Sequence, residues 1–316
     1  MNRDLRIVFM GTPEFAVHSL MALLDHEFNV VGVVTSPDRP SGRGQKLKSS
    51  AVKQFAMTNG LTVLQPTNLK NDRFNEALKA LEPNLQIVVA FRMLPKIVWN
   101  LPEFGTFNLH ASLLPNYRGA APINWAIING ETRTGVTTFF IDEKIDTGEL
   151  ILQQEVAIDK DDTAGILHDK LMITGAELVI QTVKLIEQGT PETTRQKDEL
   201  SLKPAPKLNK DNCKINWTDT PYNIYNKIRG LAPYPAAWCY LKNGDEEITA
   251  KIYKARPVEV SHDHKTSALI ITKNELKVAV KNGYIIIDEI QLAGKRRMPV
   301  KSLLNGYRFQ TNAKML

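Results

Sequence analysis

Asn108 and His110 stand two residues apart in the stretch Phe107-Asn108-Leu109-His110 of a 316-residue chain. Alternate side chains of an extended strand share a face, so these two polar groups project together while Phe107 and Leu109 turn the other way. A carboxamide and an imidazole placed like this fit one of two roles: a catalytic pair presented to a substrate, or a hydrogen-bonding pair that closes a strand end. The following stretch, residues 111–122, is apolar without a clear period, and its two prolines and Gly119 exclude regular structure throughout. A loop of that kind, anchored at both ends, makes a good substrate wall. Further on, Asp142, Glu143 and Asp146 share the loop Ile141-Asp142-Glu143-Lys144-Ile145-Asp146-Thr147-Gly148. Read alone, this loop is a turn in which Asp and Gly supply the local geometry. Its spacing matches no calcium loop and no second histidine stands near enough for a zinc set, so no metal is expected.

Basic residues form two further groups. The whole chain carries 40 Lys+Arg against 34 Asp+Glu, but residues 201–316 alone hold 20 against 10. So uneven a surplus fits contact with a polyanion, nucleic acid before an anionic membrane surface, or else a solvated lysine-rich face. Lys295-Arg296-Arg297, with Lys301 close by, is the densest cluster. In the otherwise acidic-leaning first two hundred residues, Arg39, Arg43, Lys46, Lys48 and Lys53 face Asp38 alone. Gly42 and Gly44 flank Arg43, giving a hairpin-like tip able to approach a nucleic-acid backbone closely. Two cysteines, Cys213 and Cys239, are too few for a disulfide framework and read as packing residues of a cytoplasmic protein. The apolar run 7–10 is far shorter than a signal-peptide core, and no stretch reaches the ~20 apolar residues of a membrane span.

The elements that must position these residues follow from periodicity. Residues 5–10, 29–35, 61–64, 85–90 and 106–110 are β-branched or apolar runs, alternating with helical patterns at 14–24, 50–59 and 71–81. Thr12 is the expected cap of the first helix with Pro13 at its first position, and Asn71 the expected cap of the third. Near-continuous Val/Ile runs alternating with helices indicate a doubly wound, Rossmann-like α/β domain with a mostly parallel sheet. Asn108 and His110 then lie at the C-terminal end of a strand, where open α/β sheets place their ligands. Strands at 135–141 and 150–156 and a long helix at 163–188 complete this domain, expected over 1–189. Residues 190–211, rich in Pro, Thr and Lys, read as a linker. One helix at 220–231 and short strands at 236–241, 248–255, 268–272, 277–281 and 285–291 predict a smaller β-barrel, OB-like, over 212–316.

Taken together, FNLHASLLPNYRGAAPINWAIINGE and IDEKIDTGELI resemble the folate-dependent formyltransferase family. IVFMGTPEFA, TSPDRPSGRGQKLKSSAVK, VVAFRMLPK and KIRGLAPYPAAW extend the resemblance across most of the chain. Purine-pathway members share the Asn, His and Asp but lack the basic loop and the basic C-terminal domain, so the resemblance is to members acting on aminoacyl-tRNA. It implies transfer of a formyl group from 10-formyltetrahydrofolate, as co-substrate, to the α-amino group of methionine on initiator tRNA, by a monomer that needs no metal and no membrane. Transfer to a small-molecule amine, a nucleotide sugar or purine precursor, is the alternative, and it leaves the charge asymmetry unexplained. By motif position the resemblance implies Asn108, His110 and Asp146 as the catalytic trio. Ser112, Leu113, Leu114, Pro115, Phe91 and Asp142 would lie along the folate. Arg43, Lys46, Lys48, Lys295, Arg296 and Arg297 would meet tRNA. The chemistry agrees: amine attack on the formyl carbon builds negative charge on oxygen, which an Asn amide and a His ring can receive as fixed donors. One departure stands at Ala90-Phe91-Arg92, where relatives commonly carry Ala-aromatic-Gly.

Overall fold

The computed structural model describes residues 3–41, 46–197 and 201–316, without the side chains of Ser41 and Lys46. The chain forms two compact units. The first comprises Met1–Gly119, Thr134–Val156 and His168–Pro204, the second Ala120–Arg133, Ala157–Leu167 and Ala205–Leu316.

Up to residue 188 the elements run β1 (Ile7–Gly11), α1 (Glu14–Asp25), β2 (Val30–Val34), β3 (Arg39–Ser41), β4 (Lys46–Lys48), α2 (Ala51–Thr58), β5 (Val63–Leu64), α3 (Asp72–Ala80), β6 (Leu85–Val89), α4 (Lys96–Trp99), β7 (Thr106–His110), α5 (Pro122–Ile128), β8 (Arg133–Phe140), β9 (Leu150–Ala157) and α6 (Ala164–Gln188). All but α5 contribute to the first unit. Its sheet has the order β5-β2-β1-β6-β7-β8-β9. Strands β5 through β7 pair in parallel, and β8 runs antiparallel to β7. Every residue of β1 and β6 is buried, as a sheet covered on both faces requires. The chain reverses its winding between β1 and β6, which places the ligand crevice at the C-terminal ends of the central strands.

Side-chain caps set two helix starts in this unit. Ser50 accepts a hydrogen bond from the Lys53 N–H and Asn71 one from the Phe74 N–H, each satisfying an orphan donor of its helix. Thr12 does not cap α1. Pro13 takes the cap position without a side-chain bond, and the Thr12 hydroxyl pairs with that of Ser36 at 3.0 Å. Gly175 brings α6 close to β7: a Cβ there would stand 2.8 Å from Leu109 Cδ2. That contact secures the β7 face opposite Asn108 and His110.

The second unit contains α7 (Pro221–Leu231), β10 (Ala237–Asn243), β11 (Glu246–Glu259), β12 (Leu269–Ile271), β13 (Leu276–Val280), β14 (Gly283–Leu292), β15 (Met298–Pro299), α8 (Val300–Leu304) and β16 (Lys314–Met315). The strand order is β12-β13-β14-β11-β10-β16, with β15 on β14, and a bridge between Ala268 and Lys314 joins the two ends. The result is a nearly closed antiparallel barrel. Thr220 caps α7 through its hydroxyl, and Ile224, Ile228 and Leu231 pack with Ile252, Ile285 and Ile290 in the core. Cys213 and Cys239 are free thiols buried in this core, and burial pushes Cys239 up to about 12. Among the described residues no helix is long and apolar enough to cross a membrane.

Candidate active site

Strand β7 delivers Asn108 and His110 to one face at its C-terminal end, in register with Phe139 and Thr137 of β8. Asn108 is half-buried, and among the described residues its carboxamide has no hydrogen-bond partner. A strand-end closing pair would have satisfied that amide. His110 is 7% exposed, and its Nε2–H donates to the Tyr117 carbonyl at 2.8 Å. A carbonyl can only accept, so this bond assigns the proton to Nε2 and leaves Nδ1 as the lone-pair nitrogen of the neutral ring. Nδ1 faces Asp146 Oδ2 at 3.9 Å, and that oxygen accepts the Gly119 N–H at 2.9 Å. Imidazole and carboxylate therefore meet in one largely buried corner, and Asn108 lies on the same face of β7.

Asp146 reaches this corner by a sharp reversal of the chain. Its φ is +55°, the left-handed region that Asp tolerates better than most residues. Two residues on, Gly148 folds the loop back onto β8 so tightly that a Cβ would lie 1.7 Å from the Phe140 carbonyl. The Asp142 carboxylate is spent inside the same loop, accepting the Thr147 hydroxyl at 2.8 Å and the Lys144 N–H at 2.9 Å. Glu143 pairs with Lys96 at 2.7 Å, which holds its carboxyl below the usual range.

The loop at 112–115 is fixed from β8 and β9. The Thr137 hydroxyl donates to the Ser112 carbonyl at 2.6 Å and accepts the Leu114 N–H at 3.2 Å. Gln153 Nε2 donates to the Leu114 carbonyl at 2.9 Å. The Ser112 hydroxyl turns inward to the Asn116 carbonyl, Leu114 is buried, and Leu113 and Pro115 stay partly accessible. After β6, Ala90 turns with φ +47° and Phe91 is half-buried. Arg92, which replaces the commonly found glycine, sends its guanidinium to the carbonyls of Thr67 and Pro66, 5.6 Å from the Phe91 ring centre. Burial and the neighbouring Arg39 charge pull it below its ordinary value.

Of the basic candidates, Arg43 and the Lys46 side chain lie outside the described residues, and Lys48 is exposed on β4. In the second unit Lys295, Arg296 and Arg297 are exposed on the wall of a cavity of about 420 Å³ that Tyr307 also lines. They differ in freedom. Arg297 is tied to Glu289 at 2.5 Å and stacks 4.2 Å from the Tyr253 ring centre, whereas Arg296 has no such tie among the described residues and Lys295 sits 5.9 Å over Tyr307.

Sequence reasoning missed Thr137, Gln153 and Gln196. Gln196 is 8% exposed, and its Nε2 donates to the carbonyls of Asp146 (3.0 Å) and Gly148 (2.8 Å). Its Oε1 accepts from Arg118 Nη2 at 2.7 Å and Nε at 3.1 Å. Polar residues that serve backbone groups leave no periodic signal; the one available hint was a long polar side chain shortly after a helix end.

The doubly wound sheet carries Asn and His at one strand end, with a loop Asp 3.9 Å from the His ring, and no dinucleotide fingerprint. The sequence matches Formyl transferase over residues 5–183 and Formyl transferase, C-terminal domain over 207–308, and the chain belongs to the formyl transferase family. Among its relatives, the methionyl-tRNA formyltransferase of Flavobacterium johnsoniae is 60% identical over 98% of this chain and 99% of that one. That of Parabacteroides distasonis is 52% identical over 97% of each chain. Among solved structures, WlaRD, a sugar 3N-formyl transferase crystallised in the presence of dTDP and 5-N-formyl-THF, shares the fold with a TM-score of 0.65. It is 23% identical over 93% of this chain and 100% of that one.

Proposed function

We propose that this chain transfers the formyl group of 10-formyltetrahydrofolate to the α-amino group of methionyl initiator tRNA, in the cytoplasm and as a monomer. Relatives at 48–60% identity over nearly the whole chain carry that name. The observation that carries the chemistry is the Asn108 carboxamide, without a hydrogen-bond partner among the described residues, on the same strand face as a His110 ring pinned at one nitrogen and facing Asp146 with the other.

In this reading Asn108 donates its N–H to the formyl oxygen as that oxygen gains charge, a fixed donor that needs no reorganisation. The attacking α-amino group titrates near ~8, so close to physiological pH its neutral form is readily reached from the ammonium, and that form must lose a further proton as the new bond forms. His110 Nδ1 is the free base that receives it, and the Tyr117 carbonyl keeps the ring from turning. Asp146, held by the Gly119 N–H, faces the imidazolium so formed, and that proton is returned to the folate nitrogen as its bond to the formyl carbon breaks and tetrahydrofolate leaves. The backbone at 112–115, with Phe91 and Asp142, forms the wall against which the folate lies. Arg43, Lys46 and Lys48 on the loop, and Lys295, Arg296 and Arg297 on the barrel, provide charge for the tRNA backbone. Transfer to a small amine would use the same trio but would leave the basic barrel without a role. Replacing His110 by Ala should depress turnover by orders of magnitude with the fold intact; near-wild-type formylation by this variant overturns the mechanism.

A further inference from the structure

We infer that Gln196 is a positioning residue for Asp146, so that the segment after the long helix α6 completes the catalytic corner from behind. This rests on the catalytic reading of Asp146 given above. The segment is not passive where it meets the site. Thr194 makes an antiparallel bridge with Leu150, exchanging both backbone hydrogen bonds at 2.8 and 2.9 Å, and so sets the register of its neighbours against the start of β9. Two residues later Gln196 points into the loop that carries Asp146.

Its carboxamide is fully used. The two N–H donors go to the carbonyls of Asp146 and Gly148, and the oxygen receives two N–H groups of the Arg118 guanidinium. The Asp146 carbonyl belongs to a residue at φ +55°, a conformation that persists only where surrounding structure over-determines it. Gln196 supplies that constraint from one side. The Gly119 N–H supplies it from the other, and Arg118, held by the same Gln196 oxygen, precedes Gly119 in the chain. One buried carboxamide thus fixes both the backbone that bears the carboxylate and the strand of loop that grips it. Losing it leaves the reacting groups present but lets Asp146 drift from Nδ1, and displacements of about 1 Å at such sites can cost about 10²-fold in rate.

Two substitutions separate this role from simple anchoring of Arg118. Gln196→Met removes donors and acceptor at similar length. Gln196→Glu keeps an acceptor for Arg118 but replaces the N–H donors with a carboxylate facing two carbonyls. Both should lower kcat about 10- to 100-fold, with KM for the folate donor and for Met-tRNA within about twofold, and with a thermal midpoint that shows a folded enzyme. A Gln196→Glu enzyme with wild-type kcat would overturn the inference, since Arg118 would then be the only partner that matters. A double-mutant cycle with Asp146→Asn supplies the reading that general loosening would not give. Because Gln196 acts through Asp146, Gln196→Met should cost nothing further in the Asp146→Asn background, and additive losses would contradict it. If Asp146→Asn alone turns over normally, the catalytic reading itself falls and this inference with it. If Asp146→Asn is impaired while Gln196→Met is not, the inference alone falls.

Discussion

Truncation of Asn108 separates catalysis from stability more sharply than any other change at the site. Its carboxamide makes no hydrogen bond to the described protein, so Asn108→Ala orphans no partner, and the side chain is only half-buried. The folded state should therefore lose well under 1 kcal/mol, within the range of ordinary surface changes. Transition-state stabilisation is another matter. One preorganised donor to a developing oxyanion is worth about 10²–10³ in kcat, or about 2.7–4 kcal/mol. Asn108→Asp keeps the shape and reverses the electrostatics: a carboxylate about 3 Å from the charged oxygen repels it by about 5 kcal/mol at an effective dielectric of about 20. The predicted order is wild type, then Ala, then Asp, with kcat falling at each step while the thermal midpoints stay together. The assay is single-turnover formylation at saturating donor, beside a thermal melt of each variant. An Asn108→Ala enzyme within twofold of wild-type kcat, or one that loses activity only because it melts, would refute the oxyanion role.

Arg43→Ala should raise KM for Met-tRNA several-fold while leaving folate binding, measured by titration, unchanged; equal formylation kinetics would remove Arg43 from the tRNA contact set. Lys295→Ala and Arg296→Ala should each lower the slope of log K against log salt for tRNA binding by about 1, whereas Arg297→Ala, already neutralised by Glu289, should change it less. Tyr225 hydrogen-bonds Asp161 at 2.7 Å, and burial followed by that carboxylate raises its phenol to about 12. Its folded value lies above the unfolded value near ~10, so its contribution is complete below ~10 and is lost as pH rises towards 12. The stability difference between wild type and Tyr225→Phe should shrink over that window; a difference that grows would show the sign to be wrong.

The strands of the doubly wound sheet were legible because buried parallel strands need uninterrupted apolar runs, and Ile7–Gly11 and Val30–Val34 display them. The cap at Asn71 read correctly, and its side chain accepts the Phe74 N–H. Thr12 failed because its hydroxyl had a tertiary alternative in Ser36. Helix α5 went unread because Pro122 ends the aperiodic loop and also occupies the first helical turn, a double use that local pattern cannot resolve. The pairs β15 and β16 are two residues long and exist only through their partners. At the site, alternation along one strand put Asn108 and His110 on one face, and only the combined motifs gave them an expected role. What holds His110 and Asp146 was invisible, because Tyr117 and Gly119 act through backbone groups and Gln196 lies in a stretch without periodicity.

The most direct measurement is incubation of the chain with 10-formyltetrahydrofolate labelled on the formyl carbon, together with initiator Met-tRNA and, separately, elongator Met-tRNA. Label should pass to the methionine α-amino group of the initiator and far less to the elongator. Label that stays on the folate, or moves to a nucleotide-sugar amine with no response to tRNA, would contradict the proposed function.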